Sequence, residues 1–173
     1  MEKEPHQLAE EGKRAFAAGR YAEAATAFRE ASRDFASGGD ALQAAEMDNN
    51  LSVALLKNNQ PGQALDATRG TDKIFESHAD VTKQAMALGN QAAALEALKR
   101  LDEALPLYER AAELFDQAGE KDLHSLMFKS VAAIRLKQGK LGDASMDMLS
   151  SLGAVEKPNL LQRILKFILR LKL

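Results

Sequence analysis

Gly19-Arg20-Tyr21-Ala22-Glu23-Ala24, Asn59-Gln60-Pro61-Gly62-Gln63-Ala64, Lys99-Arg100-Leu101-Asp102-Glu103-Ala104 and Gly139-Lys140-Leu141-Gly142-Asp143-Ala144 are four versions of one turn, each forty residues after the last. A phenylalanine follows in register at Phe35, Phe75 and Phe115. Self-similarity at a fixed step of this length marks repeats that stack on their neighbours, and it predicts an all-α solenoid.

Outward from the turns, apolar residues recur at three- and four-residue steps, as in Leu88, Ala92, Leu95 and then Leu105, Tyr108, Ala112, Phe115. No segment shows the two-residue alternation of a strand. The breaks predict helices near 5–18, 21–37, 40–58, 61–77, 80–98, 102–118, 122–138 and 141–153, with a last one from Pro158 to the end. Four hairpins result, about 5–37, 40–77, 80–118 and 122–153, within a repeat domain of residues 1–157. Gly38-Gly39-Asp40 and Gly119-Glu120-Lys121-Asp122 each supply a glycine stop, with Asp40 and Asp122 suited to cap the next helix. Within each hairpin small residues face one another: Gly12 and Ala24, Ser52 and Ala64, Ala92 and Ala104, Ala132 and Ala144. Larger side chains there would hold the backbones apart. Phe28, Tyr108 and Met148 are expected to fill the adjoining space. The second copy has Thr68 and Thr71 instead, so its hairpin is expected to pack least well. Pro106 should leave a local defect inside its helix.

The 173 residues carry 46% hydrophobic and 28% charged side chains and a net charge of −2, which fits a folded chain and argues against a nucleic-acid partner. Cysteine is absent, so thiolate chemistry and cysteine metal sites are excluded. His6, His78 and His124 stand at no metal-ligand spacing, and no nucleophile elbow or phosphate-binding glycine loop occurs. No enzyme, cofactor or metal is expected. The polar start and the lack of about 18 consecutive apolar residues predict a cytoplasmic protein.

The small–turn–alanine–aromatic series resembles the tetratricopeptide repeat. Gly12, Gly19, Tyr21, Ala24, Phe28 and Ala31 carry the likeness in the first copy, and Ala92, Leu101, Ala104, Tyr108 and Ala111 in the third. The forty-residue period is six longer than that family's norm and looks like its long-helix variety, found in kinesin light chains and SNAP-type adaptors. HEAT and armadillo repeats share the period but lack the series. The resemblance implies that the first helix of each hairpin lines a concave groove for a partner's peptide or helix. Carried over, it puts Lys13, Asn49, Asn50, Lys57, Asn90, Lys129 and Lys137 there, beside His6, Glu46, Met86, Ala93, Leu126 and Ser130. Asn50 and Asn90 occupy one repeat position, where an amide can hold an extended backbone through donor and acceptor. The lysines favour an acidic peptide or a terminal carboxylate. The carboxylate clamp of chaperone-binding members is not supported, since Ala9, Lys13, Met86 and Asn90 stand where most of its residues belong.

Residues 158–173 differ from all the rest. Arg163, Lys166, Arg170 and Lys172 come with no acid, while Leu161, Leu165, Phe167, Ile168 and Leu169 belong to an apolar arc of roughly 200° on a helix. This basic amphipathic helix is expected to cap the last hairpin. An arc this wide predicts a further contact: first a second copy of the chain, and second an anionic membrane surface. The chain therefore reads as a non-catalytic adaptor or scaffold for protein–protein interaction, the alternative being a peripheral membrane assembly or fusion adaptor.

Overall fold

The computed structural model describes residues 4–139 together with 142, 143, 147 and 148. Most of the expected helix 141–153 and all of the expected helix 158–173 lie outside the described residues. So do Ala144 and the contact residues Leu161, Leu165, Phe167, Ile168 and Leu169.

The described chain is all-helical, with α1 (Pro5–Ala17), α2 (Tyr21–Ser37), α3 (Ala41–Lys57), α4 (Pro61–Ala67), α5 (Thr71–Ser77), α6 (Val81–Ala97), α7 (Leu101–Gln117) and α8 (Lys121–Lys137). Consecutive helices pack in neighbouring pairs. α2 lies on α1 and α3, α7 lies on α6 and α8, and α4 and α5 each touch α3 and α6. Among the described residues no helix is long and apolar enough to cross a membrane.

One turn explains this regularity. Gly19, Gly39, Asn59, Ala79, Lys99, Gly119 and Gly139 have left-handed backbones, one every twenty residues. After six of them the next amide donates back five residues: Arg20 to Ala15, Asp40 to Phe35, Gln60 to Leu55, Asp80 to Phe75, Arg100 to Leu95 and Glu120 to Phe115, at 2.8–3.0 Å. That bond satisfies an orphan carbonyl and reverses the chain. Asp40 and Asp80 then cap α3 and α6, accepting from the Gln43 and Lys83 amides at 3.0 and 2.9 Å. Asp122 does not cap α8. The turn bond at Glu120 restarts the helix at Lys121, so Glu120 takes the capping position without a side-chain bond and Asp122 falls in the first turn.

The hairpin interiors close on small side chains. Ala24, Ala64, Ala104, Ser52 and Ala92 are fully buried, and Ala132 nearly so. A Cβ at Gly12 would stand 2.6 Å from Phe28 Cε1, so glycine alone lets that ring lie flat on α1. Phe28 and Tyr108 are buried as expected, whereas Met148 is exposed and fills no interior space.

The second copy departs from the expected single helix over 61–77. Its backbone breaks at Thr68-Arg69-Gly70, between α4 and α5. The Thr68 and Arg69 amides turn to carbonyls three residues back, Leu65 and Asp66. The Thr68 hydroxyl donates to the Leu65 carbonyl at 2.9 Å, the Thr71 hydroxyl donates to the Thr68 carbonyl at 3.0 Å, and Gly70 is left-handed at φ 77°. Hydroxyls competing for helix carbonyls favour such a tightened turn. The irregularity expected of this hairpin is in its backbone, while both threonine side chains are 1% exposed. Phe75, fully buried, forms a small cluster with Ala45 and Ala87, apart from the main core that holds Phe35 and Phe115. Pro106, in contrast, does not interrupt α7. It lies on the exposed side, where water can take the carbonyl its missing N–H leaves free.

Two stability changes are expected. Ala79 holds φ 56° without being glycine, so Ala79→Gly should stabilise by about 0.5–1 kcal/mol, the left-handed cost of alanine less the entropy of glycine. Gly12→Ala should destabilise, because overpacking costs about 1–3 kcal/mol against roughly 1 kcal/mol of helix propensity gained. Denaturant midpoints check both.

Candidate binding face

Equivalent positions on α3, α6 and α8 form rows, each with its own chemistry. One row is Glu46, Met86 and Leu126; the next is Asn50, Asn90 and Ser130; then come Val53, Ala93 and Ala133; last are Lys57, Ala97 and Lys137. The helices are tied across one repeat. Lys83 of α6 donates to Glu46 of α3 at 2.8 Å, and Lys137 of α8 donates to Glu96 of α6 at 3.0 Å. Met127 of α8 lies against Gly89 of α6, where a Cβ would meet its sulfur at 3.2 Å.

Met86 and Leu126 are 45% and 50% exposed, unusual for large apolar side chains at two matching positions. Asn50 and Asn90 are half-buried and make no side-chain hydrogen bond among the described residues, which leaves both amides with their full capacity. Lys57 and Lys129 are exposed and form no ion pair among the described residues.

The other expected site residues are placed differently. Asn49 is 7% exposed, with its Oδ1 buried and without a partner, so its amide is closed to a ligand from outside. It stands three residues before Ser52, on the helix stripe that packs inward, and Ser52 donates to its backbone carbonyl at 2.7 Å. Lys13 is paired with Glu10 at 2.8 Å on the surface of α1. Lys137 is held by Glu96, and Glu46 by Lys83. Much of the charge expected on this face is thus neutralised by neighbours. His6 rests edge-on against Phe35, ring centroids 4.9 Å apart.

Two polar clusters escaped sequence reading. Tyr108 Oη donates to Glu96 Oε2 at 3.1 Å, while Lys137 takes the other oxygen. Burial, then the charge and hydrogen bond of Glu96, push the phenol well above its ordinary range. Arg135 bridges Glu109 at 2.5 Å and Asp147 at 2.6 Å, linking α7, α8 and the fourth copy's second half. The only signal for the first was that Lys137 follows Glu96 by about one repeat. The second joins positions twelve and twenty-six residues apart, a spacing that no helix face or repeat suggests.

Between α2 and α3, Ser32 Oγ donates to Asp48 Oδ1 at 2.6 Å. Burial raises the Asp48 carboxyl above its ordinary range, with the Ser32 bond opposing. No protein-family model matches this chain, and no curated protein matches it significantly.

A raised folded pKa means that ionised Asp48 costs stability above that pKa, and that the cost is relieved as pH falls through it. Asp48→Asn keeps an acceptor for Ser32 and should be more stable than wild type at pH 7. The advantage should shrink toward about pH 4, near the carboxyl's unfolded value. Urea titrations across that range check it.

Proposed function

We propose that this chain is a non-catalytic adaptor: a right-handed stack of four tetratricopeptide-like hairpins with a basic amphipathic tail. It holds an extended peptide or a helix of a partner protein along α1, α3, α6 and α8. The stacked reading draws support from the turn residues repeating every twenty positions and from the bridges reaching one repeat away.

The observation that carries the binding role is the pair of amides Asn50 and Asn90 at one repeat position; Ser130, next in that register, is already engaged by the Leu126 carbonyl at 3.5 Å. Neither amide has a protein partner and both stay open to water, so a ligand's backbone can take their bonds. An extended peptide crossing the helices offers donors and acceptors along its length. Met86 and Leu126 on one side would take an apolar residue, and Lys57 on the other an acidic one. Self-association through residues 158–173 accompanies this role.

A second reading is favoured by the tail's charge: four cations and no acid over an apolar arc suit an anionic membrane surface. On that reading the chain is a peripheral assembly or fusion adaptor, and it should co-float with anionic vesicles in a salt-sensitive way.

Peptides selected on the full chain from a random display library test the face directly. Asn50→Ala/Asn90→Ala should weaken the selected peptides at least about tenfold, since two amides lose hydrogen bonds of roughly 0.5–1.5 kcal/mol each. Far-UV circular dichroism should stay unchanged. Undiminished affinity rules the face out.

A further inference from the structure

Two leucines on α8 stand where earlier first helices carry carboxylates. Glu46 of α3 accepts from Lys83 of α6, and Glu96 of α6 accepts from Lys137 of α8, so these two repeat positions face the following first helix. Leu126 shares the position of Glu46 and Met86, and Leu136 shares that of Glu96. They are the two most exposed large apolar side chains among the described residues. The side of α8 that a further first helix would cover is therefore apolar.

Forty residues beyond α8 the sequence repeats the first-helix pattern. The positions of Ala45, Ala85 and Ser125 and of Met47, Ala87 and Met127 are buried throughout, and they continue as Leu165 and Phe167. Those that hold the buried Ala44 and Gln84, Leu88, and Leu51 and Val131 continue as Ile164, Ile168 and Leu171. Lys172 departs from the small residues Ser52, Ala92 and Ala132, but its stem can carry the ammonium to water from the last turn. Most of the wide apolar arc thus matches the inward side of a first helix. Leu169, in the position of Gly89 and Lys129, is left toward the open end, where a second copy can reach it.

The same register carries Lys166 into the row of Glu46, Met86 and Leu126, and Arg170 into the row of Asn50, Asn90 and Ser130. We propose that residues 161–173 form a fifth first helix, and that Lys166 and Arg170 end the binding face as a site for a carboxylate of the partner peptide. The inference rests on the reading of that face given above. Lys166 and Arg170 stand four apart on one helix side, so they repel unless an anion lies between them. In earlier repeats Glu46 and Glu96 take up such charge, whereas α8 offers leucines there. The one acid of α8, Asp122, stands about two turns before Ser130. A side-chain or a terminal carboxylate meets the same need, two acceptor oxygens for charged N–H donors. Neighbouring helices lie about 8–10 Å apart, so the two steps from Asn90 to Arg170 span about six residues of extended peptide.

The register is tested on the full chain, which has no cysteine of its own. Leu126→Cys/Arg163→Cys, placed like Glu46 and Lys83, should be joined within one chain by a short bismaleimide, whereas Glu46→Cys/Arg163→Cys should not. Equal joining of both pairs, joining of neither, or joining only between chains overturns the fifth helix. The site is tested with peptides selected on the full chain from display libraries with free and with blocked C-termini. Lys166→Ala/Arg170→Ala should weaken them at least about tenfold in titration calorimetry. Removing the peptide's carboxylate should cost the wild type a similar factor and the variant nothing further. Amidating the C-terminus reads a terminal carboxylate, and replacing Asp or Glu by Asn or Gln reads a side-chain one. Undiminished affinity in the variant overturns the anion site, even where Asn50→Ala/Asn90→Ala weakens binding and the face itself stands. Loss at Lys166 and Arg170 with none at Asn50 and Asn90 fails the face, and with it the site's place at the end of that row.

Discussion

A backbone hydrogen bond spanning five residues, made possible by one left-handed residue, sets the dimensions of everything else. It ends each helix, satisfies a carbonyl that would otherwise be orphaned, and sends the chain back along itself. Because the bond returns every twenty residues, five helices of 17 residues and the broken stretch α4–α5 lie side by side with the shorter α1. Four of these seven positions are glycines, and Asn59, Ala79 and Lys99 hold the same geometry with a side chain attached. Tertiary contacts of the flanking helices offset the steric cost there.

Equal helices can be drawn close only if their facing side chains are small. Ala24, Ala64 and Ala104 meet that need without exposing any surface, and Gly12 meets it where the Phe28 ring leaves no room for a Cβ. The second copy shows how the constraint is kept when its residues change. Thr68 and Thr71 replace an aromatic and an alanine, and their hydroxyls require partners once buried. The nearest acceptors are carbonyls of their own helix, so α4 stops, Gly70 turns, and α5 brings Phe75 back into register.

The same economy shapes the exposed chemistry. Glu46, Lys137 and Lys13 carry charge, yet each is engaged by a neighbour, two of them in bridges that tie successive hairpins. What stays available is a row of amides, two apolar side chains and two lysines.

How much of this was legible beforehand follows from the range of each interaction. The forty-residue recurrence, the apolar three-and-four spacing and the glycines are local, and they alone determined helices, turns and pairing order. The twenty-residue half-period was hidden because Ala79 and Lys99 carry no signature of a left-handed backbone. Asn49 and Asn50 look alike in the chain. Only the packed helices decided that one amide points inward beside Ser52 and the other outward, since a single residue step turns the side chain by about 100°. The break at Thr68, the Arg135 bridge and the loss of free charge on Lys137 were likewise decided by tertiary structure. Each depends on which buried or distant group a side chain meets, and that is set by how neighbouring helices pack.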